Sequence, residues 1–163
     1  MTLKNSVIKG YHAFEIRPPM ILPRCPLNVE PEYTNIKDVC ACLVWIPDLD
    51  FFAPDTHGMI TEDKIHLKLT DVAGLPIGRV PRSLAPYFRK SIDNGGKVLS
   101  EVIGAPVPSY PPWPAQHEEG GGVVLPCDYI IPTPCRNDFD VISGALNSLP
   151  EGSAMELVMS HDI

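Results

Sequence analysis

At 163 residues, with 44% hydrophobic and 20% charged residues, the chain is long enough for one hydrophobic core and too apolar for wholesale disorder. Its 13 cations against 20 acids leave a net charge of −7, which excludes tight electrostatic wrapping of a nucleic-acid duplex and confines any such contact to a local patch. Nineteen prolines, about twice the usual ~5% share, favour short strands and loops, and no apolar run reaches the ~18 residues of a membrane helix.

Residues 1–6 read as a short arm, and residues 1–10 lack the apolar core of a signal peptide, so the expected setting is soluble and intracellular, with no membrane contact. Residues 7–16 alternate well enough to open a first strand. The proline-rich run that follows, "RPPMILPRCPLNVEPE", accommodates two short extended pieces. Residues 39–46, rich in β-branched and aromatic side chains, read as a buried strand. Residues 48–62 carry four acids with Pro and Gly and little periodicity, as an exposed insertion would. Ile65, Leu67 and Leu69 then alternate with Lys64, His66 and Lys68, predicting a strand with one wet face.

A further strand is expected over residues 75–80, leading into a helix capped by Ser83, with Pro86 in its first turn and Leu84, Tyr87, Phe88 and Ile92 as its buried stripe. "NGG" ends that helix. Residues 97–103 return as a strand, and "GGGVVLPCDYII" leads into the last one. In the tail, residues 133–163, Phe139, Ile142, Leu146 and Leu149 have helical spacing, so one helix is expected before the chain frays. Five to seven short strands with one clear helix point to a mainly β fold, an irregular barrel, with a sandwich as the alternative.

Catalytic signals are absent. There is no P-loop, GxSxG or HExxH, and an acid and base pair of Asp38 with His12 would lack both nucleophile and metal. The five cysteines are odd in number and form no CxxC, so reduced thiols are expected; a zinc site on Cys40 and Cys42 with Cys127 or Cys135 is the weaker alternative, and no cofactor is implied. His57 and His66 lack ligand spacing.

Charge is more informative. The tail carries five acids against Arg136, a balance of −4, which leaves −3 for residues 1–132. Within the latter, Arg79, Arg82, Arg89, Lys90 and Lys97 face only Asp93 along residues 77–97. Arg79 and Arg82 flank a helix start, where a phosphate is favoured by the dipole and the unpaired donors; the plainer alternative is pairing with nearby acids. Tyr11, Phe14, Tyr33, Tyr110 and Trp113 are candidates to stack on bases, although Tyr11 and Phe14 suit a core and Trp113 a loop plug.

In order along the chain, "IKGYHAF", "VEPEYTNIKDVCACLV" with Glu30, Pro31, Asn35, Asp38 and Ala41, "IGRVPRSLAPYF", "GGKVLSEVIG" and "GGGVVLPCDYI" resemble the HIRAN domain over residues 7–132, most nearly the stand-alone metazoan HIRAN-like proteins. The resemblance implies an OB-like β-barrel of about six strands with one or two short helices, a nuclear setting, and capture of the 3′-hydroxyl end of single-stranded DNA. It implies further that Asp38 accepts the terminal hydroxyl and repels a 3′-phosphate, and that Arg79 and Arg82 stand where the DNA-binding member has a histidine and a lysine beside the backbone. His12 replaces an arginine. Lys37 replaces a stacking tyrosine, Ala13 another, and Val123 a pocket phenylalanine. The implied site is therefore His12, Lys37, Asp38, Arg79 and Arg82. The rival expectation is a protein-interaction module with a vestigial pocket, engaging its partner through the proline-rich loop at residues 106–114, the acidic insertion or the tail.

Overall fold

The structure, a computed structural model, describes residues 1–10, 26–58, 68–109, 113, 122–135 and 137–159. Among these, eight strands form antiparallel pairs: β1 (Thr2–Ile8), β2 (Leu27–Pro31), β3 (Cys42–Trp45), β4 (Pro76–Arg79), β5 (Leu99–Val102), β6 (Val107–Pro108), β7 (Val123–Ile130) and β8 (Glu156–Val158). Their order is β4, β3, β2, β5, β7, β1, β8, with β6 added on β7. Three short α-helices accompany them: α1 (Leu69–Val72), α2 (Ala85–Asp93) and α3 (Asp138–Leu146).

The fold is thus mainly β, as expected, but among the described residues no ladder closes a barrel. The end of β1 meets β4 at one isolated bridge, where Lys9 and Arg79 exchange both backbone hydrogen bonds at 2.8 and 2.9 Å. Gly10 follows at φ 83°, outside extended geometry. The crossing depends on Gly78, because a Cβ there would fall into the Lys9 carbonyl.

Two segments differ from expectation for identifiable reasons. Residues 2–6 are no arm but most of β1: Met1 and Leu3 are buried, and β1 is flanked by β7 and by β8 of the tail. Residues 69–72 form α1 instead of a strand, because the Asp71 carboxylate accepts the Lys68 N–H at 2.8 Å and closes a helical turn that buries Leu69 and Val72. The preceding part of that predicted strand, residues 64–67, and the later part of the first one, residues 11–16, lie outside the described residues.

The core is a single cluster filled by alternate residues of the strands and by α2. Phe88 of α2 packs on Tyr129 of β7 with ring centroids 4.9 Å apart, and the buried Tyr129 hydroxyl donates to the Val7 carbonyl at 2.8 Å. The helix stops as the sequence predicts: Gly95 adopts φ 86° while the Gly95 and Gly96 N–H groups bond back to Ile92 and Ser91. One face of the molecule is thereby fixed, with the β2–β3 connection, the end of β4 and the start of α2 side by side.

Candidate nucleic-acid interface

Residues 32–41, which join β2 to β3, are organised by Asn35. Its side-chain oxygen accepts the N–H groups of Lys37 and Asp38 at 3.1 and 2.9 Å, and its amide donates to Glu32 at 3.3 Å. Asp38 Oδ1 in turn accepts the Cys40 N–H at 3.0 Å. Asparagine and aspartate compete well for local backbone donors, so "NIKD" folds as two interlocked turns and delays the predicted strand until Cys42. Lys37 is exposed at the tip and makes no ion pair among the described residues.

Arg79 and Arg82 reach this loop by different means. Arg79, on β4 across from Leu43 of β3, makes a bidentate pair with Glu32 through Nε and Nη2, both at 2.9 Å. Each partner shifts the other: the Arg79 hydrogen bond holds the Glu32 carboxyl below its ordinary range against the opposing effect of burial, and Glu32 raises Arg79. Arg82 lies in the turn before α2, is 80% exposed, and stands 3.8 Å from Asp38 Oδ2, an ion-pair distance too long for a hydrogen bond.

The cations are therefore not opposed by Asp93 alone. Arg89 pairs with Asp93, at 3.1 Å, Arg79 with Glu32, and Arg82 loosely with Asp38. The helix start is also less available to an anion than its sequence implies. Leu84 and Ala85 N–H groups both bond to the Pro81 carbonyl, Tyr87 N–H bonds to Leu84, and Pro86 has no donor. Nor does Ser83 cap the helix; Leu84 occupies that position, and the Ser83 hydroxyl donates to the carboxylate of Glu151, a buried acid from the tail.

Of the five residues the sequence singles out, Lys37, Asp38, Arg79 and Arg82 are brought to one corner by the β2–β3 connection and the β4–α2 turn. His12 lies outside the described residues. Val123 opens β7 opposite Pro108. Glu32 and the backbone of Lys9 belong to the same corner and are not singled out by the sequence; Asn35, already marked by the Asn-x-x-Asp spacing, proves to be the residue that organises the loop. The acidic insertion, where described, is not simply exposed: Phe52 is buried between two 3-10 turns, Leu49–Phe51 and Pro54–Thr56, and a His57 ring nitrogen lies 3.0 Å from the Phe52 carbonyl.

Burial pushes the Cys42 thiol up to about 11 and the Cys127 thiol up to about 12, so both stay protonated at neutral pH. Among the described residues no three metal-binding side chains cluster, and no helix is long and apolar enough to cross a membrane.

No protein-family model matches the sequence, and no curated protein matches it significantly. A solved structure does. The backbone is similar to the crystal structure of the HIRAN domain of human HLTF, at 10% sequence identity and a TM-score of 0.44, covering 90% of this chain and 87% of that one.

Proposed function

We propose that the chain is a non-catalytic module that captures single-stranded DNA by its 3′-hydroxyl end, using the sheet as an OB-like barrel and the corner of Lys37, Asp38, Arg79 and Arg82 as its binding surface. The observation that carries this reading is the state of Asp38. Its Oδ1 is committed to the Cys40 N–H, while its Oδ2 points towards the exposed Arg82 guanidinium without a close hydrogen bond. A terminal hydroxyl can donate to that second oxygen as Arg82 turns to the adjoining phosphate, and Lys37 adds a second exposed cation beside it. A 3′-phosphate in the same place would meet the carboxylate's negative charge, which is the physical basis for end selectivity.

Arg79 has a different part in this reading: tied to Glu32, it sets the position of the corner and contributes field, not a phosphate clamp. With Arg82 and Lys37 as the cations this corner offers the backbone among the described residues, binding should be short-range and moderately salt-dependent.

The test is fluorescence anisotropy with one oligonucleotide ending in 3′-hydroxyl or in 3′-phosphate, at low and near-physiological salt. The expected result is tighter binding of the hydroxyl end, lost about tenfold or more in Arg82→Glu. In Asp38→Asn, which keeps an acceptor for Cys40, the two ends should bind alike because phosphate is no longer repelled. Equal binding of both ends by the unaltered protein would overturn end capture.

A further inference from the structure

We infer that Tyr33 is a ready-made stacking platform for an unpaired base, an inference that rests on the single-strand reading above and supplies the aromatic contact which Lys37 cannot. Tyr33 is 77% exposed, on the same loop as Asp38. A tyrosine that exposed is ordinarily a free rotor, yet the Arg89 guanidinium lies over this ring, 4.9 Å from its centroid. Arg89 is itself fixed from two sides, by Asp93 at 3.1 Å and by the Val39 carbonyl at 2.9 Å. The ring is thus braced on one face by a planar cation, and its high exposure leaves the other face open to a second planar group.

Three features select a nucleobase as that group. A π-face is what an exposed, braced tyrosine ring offers, and every base carries one. Arg89 is offset by Asp93, but exposed Lys37 on this loop and Arg82 in the adjoining β4–α2 turn supply positive potential to the surface that the neighbouring phosphates would cross. The loop is also stiffened in advance by the Asn35 and Asp38 turns, so little ordering cost accompanies binding. Ile36 and Val39, exposed at 93% and 76% on the same loop, add apolar surface to it.

The experiment is a double-mutant cycle in the same anisotropy assay, crossing Tyr33→Leu with an abasic nucleotide stepped through the last four positions of the strand. Tyr33→Leu is expected to weaken binding roughly 5- to 150-fold, the range for loss of one stacked base, and Tyr33→Phe to change it by less than about twofold. At one abasic position the Tyr33→Leu penalty should disappear. Arg89→Gln should cost a smaller factor at the same position only. Binding that is unchanged by Tyr33→Leu, or a penalty equal at every abasic position, overturns the platform while leaving end capture standing; in the first case the apolar trio on this loop would face a protein. No binding of any strand by the unaltered protein overturns both readings together.

Discussion

Two arginines three residues apart at one corner of the sheet meet two carboxylates from one loop, and the pairs are of different kinds. Arg79 and Glu32 share two hydrogen bonds of 2.9 Å, with Glu32 12% exposed and Arg79 anchored further by its backbone bridge to Lys9. Arg82 and Asp38 stand 3.8 Å apart, and the guanidinium is almost wholly in solvent. The first pair has the geometry of a fastener and the second of a group waiting for a partner. Equal charge and near-equal position in sequence do not give equal roles; commitment of the hydrogen-bonding atoms does.

The largest disturbance of this contrast should come from a residue with no side chain. Gly78→Ala drives a Cβ into the Lys9 backbone, which has no flexible end to move aside, so β1 and β4 must part and both arginines lose their common support. Overpacking of this kind costs about 3 kcal/mol, roughly 6 to 12 °C in melting temperature for a chain of this size. Differential scanning calorimetry would measure it. A melting temperature unchanged by Gly78→Ala would mean that the β1–β4 contact is dispensable.

A smaller effect is expected at the fastener. Glu32→Gln should destabilise by about 1 kcal/mol at neutral pH, a figure that allows for solvent screening of a guanidinium 43% exposed. Because Arg79 lowers the folded-state pKa of Glu32, its stabilisation is fully present above the unfolded value and is lost as pH falls through the folded one. The difference between the two proteins should therefore be constant near neutrality, shrink below about pH 4.5 and vanish in stronger acid. Urea titrations at several pH values would trace that curve, and a difference persisting undiminished below pH 3 would assign the effect to packing and not to charge.

Much of this arrangement was legible in advance, and the gaps have physical causes. The strands expected over residues 75–80 and from "GGGVVLPCDYII" are present as β4 and β7, and the Pro86 and Gly95 signals located α2, because those cues are local and no tertiary contact opposes them. The cations of the corner were equally plain. Their acids were not: Glu32 lies 47 residues from Arg79, and only the antiparallel register of β2, β3 and β4 brings the two together. Ser83 looked like a cap because its local sequence allows one, but a buried carboxylate from the tail competes for its hydroxyl. The three residues of β8 carry almost no pattern of their own, and pair because Thr2, Leu3 and Lys4 offer them an edge.

The smallest expected effect is the one that separates the two pairs most cleanly. Arg82→Ala should leave stability within about 0.5 kcal/mol of the unaltered protein, since an exposed ion pair at 3.8 Å gives back little more than it costs in side-chain entropy. The same substitution should weaken binding of a 3′-hydroxyl strand, because the phosphate loses its nearest cation. Thermal melts and anisotropy on one preparation provide both readouts. A variant that binds normally but melts several degrees lower would reverse the assignment, making Arg82 the fastener. Stability held with affinity lost is the pattern of a residue kept in solvent for a ligand, and Glu32→Gln serves as its mirror: affinity should survive there to the extent that the corner keeps its shape.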